Sequence, residues 1–363
     1  MQSTIHFLPA EYGDAFILHC YKGDNEGYVV VDGGPYCLRS SNFISNQFDS
    51  IPHIDLMVLS HHDDDHIGGI LRYIKAHKDD NPFPVRKMWA NCARVKDFQE
   101  SLDLSPNQAS KLADALTEIS KNTGLEWKER IHEGYDCSDI DYADIEIIGP
   151  REDLLNRYLE FYQNDIGEPL QEGQNLSGIE SDDFLNKPLE ELALYATPEP
   201  NLTNKRVLAN AASISCIIEA DGMSVLMLGD GYPQFVVPYL KEREKQKRRL
   251  KVDFVKVAHH GSLNNISCEL LDLIDCNNYI IPTNGGGTGV KHPDRIALAK
   301  ILCHKNRDRS VPVHLHFNYT LKTFAQRKDL FLFNEGEKEE YNFVIHEPDE
   351  EFVRNGYKVI RCY

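Results

Sequence analysis

The sequence predicts an α/β protein in which two β-sheets stack face to face with helices outside, an αββα four-layer sandwich. Three observations carry this. Short apolar strands in hairpins open the chain, strand and helix then alternate, and the same order resumes after residue 211.

The run "IHFLP" leads to "AFILHCY" through a turn at Tyr12-Gly13-Asp14, and "YVVVDGG" and "IDLMVLS" follow as strands. From His66 the pattern turns helical, with Ile67, Ile70, Leu71 and Ile74 on one face. "VRKMWANC" reads as a strand, residues 95–122 as a helical stretch starting near Ser105-Pro106, and "IEIIGP" as a strand closed by Pro150. Residues 151–205 are polar, acidic and irregular, which predicts a long functional loop around a helix at 151–163. "SISCIIEA" and "MSVLMLGD" form a hairpin about Asp221-Gly222, and a charged helix leads to the strand "VDFVKVAHHG". A helix near 267–275, the strand "NYIIPT", a Gly-rich loop at 285–289, a helix from Pro293 and the strand "VPVHLHF" follow. "YNFVIHE" and "YKVIRCY" add strands. The expected organisation is one domain over 1–317 with an insert at about 151–205, and a C-terminal extension, 318–363, packed on it.

Composition bounds the function. The chain has 363 residues, 41% hydrophobic and 26% charged, which describes a soluble globular protein. No apolar run approaches the roughly 18 residues that span a bilayer, and the N-terminus lacks the basic segment of a signal peptide. Nine scattered cysteines without a C-x-x-C pair predict reduced thiols and a cytoplasmic location. The net charge of −18 argues against a surface that coats nucleic acid. The basic run "KEREKQKRRLK" at 241–251 reads as a solvated helix face. A locally positive metal site could still handle a phosphate ester.

The candidate site begins in "VLSHHDDDHIGGI", residues 58–70. Imidazole nitrogen and carboxylate oxygen together suit a borderline divalent ion. In an extended loop residues two apart point the same way, so His61 and Asp63 can reach one ion. A turn into a helix would redirect Asp65 and His66 to a second, leaving His62 and Asp64 pointing away. Three aspartates alone would read as an acidic helix start, but the flanking histidines favour metal binding. Two further strand ends agree: "MLGDG" leaves Asp230 where a carboxylate can bridge two ions, and "VKVAHHGS" leaves His259 and His260.

"SHHDDDHIGG", "MLGDG" and "KVAHHGS" resemble the motifs of the metallo-β-lactamase-fold hydrolases. The branch is the one that includes the hydrolase domain of bacterial DNA-uptake competence proteins and phosphocholine esterases. "AEYGDAFIL" with "VVVDGG", and "VKHPD", agree, so the resemblance spans about residues 5–300. It implies two divalent ions, Zn²⁺ or Mn²⁺. It places His61, Asp63, Asp65 and His66 on the family's H-x-H-x-D-H pattern, with Asp63 at the second histidine. Asp230 would bridge the ions. His259 would be the last ligand and His260 a phosphoryl contact, although sequence does not separate these two roles. The third histidine of the first site is missing. Its place reads "ANAASISCII", with Asn210 as the candidate ligand, and His132 lies too far upstream. Such an oxygen-rich site favours weak occupancy, or Mn²⁺ over Zn²⁺.

Two ions roughly 3.5–4 Å apart can hold a hydroxide between them and stabilise charge on attacking and leaving oxygens. The catalytic candidates are Asp65, His260 and His292. The doubled histidine, Ser262, His292 and "NGGGTG" all suit phosphoryl oxygens. His292 would protonate the leaving group, or equally would only start a helix before Pro293. His314 and His316 read as structural, and Asp14 and Asp32 as turn residues near the site, Asp32 behind a ligand. The expected activity is hydrolysis of a phosphodiester, with nucleic acid or a nucleotide among the candidate substrates and a nuclease among the readings. The alternatives are an ester or lactone hydrolase, and a poorly active sensor module that retains the fold. Similar stand-alone proteins sit among bacterial defence systems, and that analogy implies a protein partner bound through the insert or the C-terminal extension.

Overall fold

Strand and helix periodicity sort the chain into two similar halves. The structure, a computed structural model, describes residues 1–92, 104–164, 184–246, 249–286, 291–328, 331–348 and 358–360. The first half runs β1 (Thr4–Phe7), β2 (Phe16–Lys22), β3 (Asn25–Val31), α1 (Leu38–Phe48), β4 (Ile54–Leu59), α2 (Asp64–His77), β5 (Val85–Ala90), α3 (Leu104–Thr123) and β6 (Glu126–Lys128). The second half begins with β7 (Asp144–Gly149), α4 (Glu152–Asn164), α5 (Leu189–Ala193), α6 (Lys205–Ala211), β8 (Ser215–Ala220), β9 (Met223–Met227) and α7 (Pro233–Gln246). It continues through β10 (Leu250–Lys251), β11 (Phe254–Lys256), α8 (Cys268–Asp272), β12 (Ile274–Asp275), β13 (Asn278–Ile281) and α9 (Arg295–Leu302). The chain closes with β14 (Val313–Phe317), α10 (Leu321–Lys328), α11 (Glu337–Glu340), β15 (Phe343–His346) and β16 (Lys358–Ile360).

Among the described residues the two large sheets are β16-β1-β2-β3-β4-β5-β6 and β15-β14-β13-β11-β9-β8-β7. Each opens with antiparallel neighbours and turns parallel, the first at β3–β4 and the second at β9–β11. Alternation explains the layers. Phe16 and Leu18 of β2 face the second sheet, where they meet Cys216, Val225 and Phe254, while Ile17 faces the helices. All six residues of β4 are buried, as a central parallel strand requires. Helices α1, α2 and α3 cover one sheet, and α5, α7, α8 and α9 the other, so the predicted αββα order is the observed one.

Several elements differ from the sequence reading. Helix α1 was not foreseen, because its buried face is built from Ser40, Ser41 and Ser45 beside Ile44 and Phe48. Serine at helical spacing gives no apolar stripe to read. The insert is more ordered than the expected loop. Leu155, Tyr158 and Tyr162 of α4 pack on Leu208 and Ala211 of α6 and on Tyr232. Residues 165–183 of that insert, and part of the Gly-rich loop, lie outside the described residues.

In the tail, Phe324, Leu332, Tyr341 and Phe343 join the outer core, and β15 and β16 extend both sheets. His314 and His316 of β14 face inward with His346, whose ring stacks on His316 at 4.4 Å. No helix among the described residues is long and apolar enough to cross a membrane.

Candidate metal centre

Three strands deliver the ligand-type side chains from their C-terminal ends. After β4 the chain stays extended through Asp63, whose side chain makes no helix cap and is free for other work. Helix α2 then begins and swings Asp65 and His66 inward. Gly68 and Gly69 let this helix press on residues 33–36, since a Cβ at Gly68 would sit 2.3 Å from Pro35 O. After β9, Gly229 adopts φ 52° where it packs against Ser60 and Ser213, and Asp230 N donates to Ser213 Oγ at 3.2 Å. After β11, His259 (φ 48°), His260 (φ 55°) and Gly261 (φ 85°) are all left-handed. That conformation costs roughly 1–2 kcal/mol for each histidine, and it turns the chain back so that both imidazoles reach the other two loops.

Asp65, His66, Asp230 and His260 each offer a ligand atom within 4.8 Å of the others. His66 Nε2 lies 3.4 Å from Asp230 Oδ2 and 3.7 Å from Asp65 Oδ2, and His260 Nε2 lies 3.0 Å from Asp65 Oδ2. His61 Nε2 is 3.8 Å from both Asp63 Oδ2 and Asp230 Oδ2, which marks a second position across Asp230. His259 Nε2 stands 3.7 Å from Asp230 Oδ2.

The four imidazoles share one arrangement. Each Nδ1 faces an acceptor: Ser60 Oγ for His61 (3.1 Å), Asp32 Oδ2 for His66 (2.9 Å), Asn265 Oδ1 for His259 (3.1 Å) and Pro282 O for His260 (2.8 Å). The network sets the direction of donation. Ser60 Oγ–H is spent on Asp32, and the Asn265 amide nitrogen on Asp230 O and Gly231 O, so their oxygens accept from the rings. With Nδ1 tied back, each Nε2 is turned toward the carboxylates, the orientation in which histidines that bind metals are held, and in the metal-free protein His260 Nε2 donates to Asp65 Oδ2 at 3.0 Å. His61 Nε2, His66 Nε2 and Asp230 Oδ1 are buried with no hydrogen-bond partner. Such orphaned atoms are what a divalent ion would satisfy, so these residues fit the ions that the motifs imply.

Without an ion, protons balance the charge. Burial pushes His66 down, but Asp230 and Asp65 outweigh it and hold the ring well above its usual range. Burial is likewise overcome at His260, where Asp14 and Asp65 raise the value to about 10. Asp65 is lowered because His66 and His260 outweigh its burial. Burial, then Asp65, lifts Asp63 to about 8. Burial lowers His259 to about 4 and depresses His61 as well, so both are neutral rings with free lone pairs.

A second acidic group, Asp14, Asp32 and His66, lies behind the first. It already holds a cation: buried Lys256 pairs with Asp14, donates to Gly229 O at 2.8 Å and stands 3.7 Å from Asp230 Oδ1. Asp32 is spent on orienting, since it accepts from Ser60 N at 2.7 Å as well as from His66. This group is the scaffold of the first one.

These ligand loops stand at the ends of β4, β9 and β11. The fold is the αββα sandwich that the motif resemblance implied. No family model and no curated protein matches the sequence. Among solved structures, unliganded yeast PDE1 aligns at TM-score 0.42 and 11% identity, over 96% of this chain and 98% of that one. A long-form RNase Z from yeast aligns at 0.39 and 14%, over 94% of this chain and 44% of that one. A variant of the CmlA β-hydroxylase aligns at 0.39 and 10%, over 99% of this chain and 54% of that one. The chain thus spans about half the length of the last two.

Other expected residues fall in different places. His260, rather than His259, is the imidazole within ligand distance of Asp65, His66 and Asp230. Asn210 stands beside the first position, its side-chain amide 3.1 Å from Asp63 Oδ2, where with its nitrogen turned to that carboxylate it would donate to Asp63 Oδ2 and to Arg206 O. His292 is buried with its ring edge-on to His259 at 5.3 Å, and its Nδ1 lies 3.5 Å from Asp294 Oδ2. The Ser262 hydroxyl caps the next turn, accepting from Asn264 N at 3.3 Å. His132 Nδ1 lies 2.9 Å from Glu133 O. His62 turns toward the insert, with Nδ1 2.5 Å from the Tyr158 hydroxyl, and Asp64 accepts from Tyr12.

Sequence reasoning passed over Lys256 and the side chains that orient the rings, Asn265 and Ser60. Lys256 had left a signal, since a lysine inside the apolar strand "VDFVKVA" must be paired. The others left none.

Proposed function

We propose that this protein is a metal-dependent hydrolase acting on a phosphodiester. The observation that carries the reading is the set of four imidazoles with Nδ1 tied back and Nε2 turned toward Asp63, Asp65 and Asp230. Asp65, His66, Asp230 and His260 would hold one divalent ion, and His61 and Asp63 with Asp230 a second, Zn²⁺ or Mn²⁺. Such ions would polarise a substrate oxygen and lower the proton affinity of water.

The remaining chemistry belongs to the side chains. Asp32, Ser60, Asn265 and Pro282 O fix the ring orientations, and Lys256 balances the surplus of carboxylates. Side-chain exposure separates the paired histidines. His259 is 23% exposed while His260 is 4% exposed, so His259 is the ring that faces a bound substrate. With Nδ1 spent on Asn265, its neutral imidazole presents an Nε2 lone pair that can accept a proton at the reacting centre, with His292 packed behind it. On this reading His260, rather than His259, would take the last ligand role. A phosphodiester is favoured over an ester or lactone by the doubled-histidine run "HHGS", which the resemblance of the motifs associates with that branch of the fold.

Metal analysis of the purified protein tests the centre. Assay of bis-(p-nitrophenyl) phosphate and single-stranded DNA with Mn²⁺ and Zn²⁺ tests the substrate class. Turnover is expected, and Asp65→Ala should abolish both turnover and tight metal binding. Absence of bound metal would sink the assignment. Bound metal without turnover on phosphodiesters, esters or lactones would favour the partner-binding module.

A further inference from the structure

We infer that Lys300 of α9 is a positioning residue for the centre: it grips the Ile266 carbonyl and thereby fixes Asn265, which sets the His259 ring. The kinetic consequence rests on the hydrolase reading, whereas the placement of the ring is tested without any ion or substrate.

Every residue of α9 is buried, and Lys300 is 1% exposed. Taking an ammonium out of water is costly unless an opposite charge meets it. The other buried cations among the described residues have such a partner, Asp14 for Lys256 and Glu337 for Arg295. No carboxylate forms an ion pair with Lys300 among the described residues. Its Nζ donates instead to two neutral oxygens, Thr197 Oγ1 at 2.7 Å and Ile266 O at 3.1 Å. Burial accordingly pushes the amine below the ordinary lysine value. A methionine would fill the same space without desolvating an amine, so what the lysine adds is its pair of hydrogen bonds.

Those bonds end one residue from the centre. The Thr197 hydroxyl, from the insert, donates to the same Ile266 oxygen at 2.7 Å, so both lone pairs of that carbonyl are filled. The preceding residue, Asn265, is 1% exposed and held on three sides. Its backbone N donates to Ser262 O at 3.1 Å, and its Nδ2 donates to Asp230 O at 2.9 Å and Gly231 O at 3.1 Å. Its Oδ1 lies 3.1 Å from His259 Nδ1. Asn265 thus ties the His259 ring to the loop that presents Asp230, and Lys300 anchors the chain immediately after it. Helix α9 and the insert reach the centre through this one carbonyl. The histidine they set is the part-exposed ring rather than a member of the Asp65, His66, Asp230 and His260 group.

The test is Lys300→Met in the full-length protein. Ile266 O keeps the Thr197 hydroxyl in this variant, so no buried acceptor is orphaned and the protein should melt no lower than the parent. The ring is read by nitrogen NMR of histidine-labelled, metal-free protein, with His259→Gln supplying the assignment. In the parent, His259 should show one tautomer, protonated at Nδ1 and bare at Nε2. In Lys300→Met its two nitrogen signals should move toward each other as both tautomers populate. Turnover of bis-(p-nitrophenyl) phosphate at saturating Mn²⁺ should fall about tenfold in kcat. In an Asn265→Ala background Lys300→Met should lower kcat little further, because the link is already cut. An unchanged His259 signature in Lys300→Met would overturn the inference, as would additive losses in the double variant or a loss of kcat matched by a fall in Tm. If the parent turns nothing over, the hydrolase reading fails, and the NMR comparison alone decides whether Lys300 sets the ring.

Discussion

Lys256 offers the sharpest test of how the carboxylate cluster is held together. Its side chain and that of Asp14 are each 1% exposed, and the ammonium also binds Gly229 O and faces Asp230. Burial would raise Asp14, but Lys256 and His260 hold it below its usual value. Lys256→Met keeps the volume and removes the charge, leaving Asp14 buried without its partner. Breaking a buried pair from one side costs about 3–5 kcal/mol. With an unfolding entropy of about 2.1 cal/mol/K per residue over 363 residues, that is a fall in Tm of about 4–7 °C. The measurement is thermal unfolding of the chelated, metal-free protein, because a bound ion would add its own stabilisation. Adding Asp14→Asn removes the orphaned charge and should recover much of the loss. Divalent ions should also stabilise Lys256→Met more than the parent, since the cluster then lacks its internal cation. A metal-free Lys256→Met protein that melts with the parent, or a double variant no better than the single, would refute this account.

Two further outcomes follow from the same geometry. In the metal-free protein His260 rises from 6.5 to about 10 and Asp63 from 3.8 to about 8, so folding favours the protonated form of each. Their stabilisation is full below the lower value of each pair and lost as pH rises through the upper one. Metal-free stability should therefore decline between about pH 6.5 and 10, and ion binding near pH 7.5 should release protons, as calorimetry in buffers of different ionisation enthalpy would show. Binding with no proton release would contradict the placement of His260. Tyr158→Phe removes the hydroxyl that meets His62 Nδ1 and Asn91 O. A loss of about 1–3 kcal/mol is expected, together with weaker metal binding, because the freed loop lies between His61 and Asp63. Unaltered metal affinity would show that the insert does not brace the loop.

Much of the fold was legible because its signals are local. β4 is a buried apolar run, β2 alternates, and α2 starts where its apolar spacing starts. Helix α1 escaped because its buried face is largely serine, and α6 because "KRVLANA" is too short to show a period. The site was legible as chemistry. Histidine and aspartate at three strand ends pointed to a metal centre before any packing was known.

What the sequence by itself determined is which residues share a strand end and which ligand types they bring. Tertiary structure decided the assignments within that set. His259 and His260 follow the same strand, and only the left-handed turn brings buried His260 within reach of Asp65, His66 and Asp230 and leaves His259 part-exposed. Asn210 stood where a ligand was missing, and only the packing of α6 brings its side-chain amide to 3.1 Å from Asp63 Oδ2. Lys256 became the cluster's counterion only once β11 lay against the loop of Asp14. The reason is physical: spacing along the chain sets direction within an element, whereas convergence on one point depends on how separate elements pack.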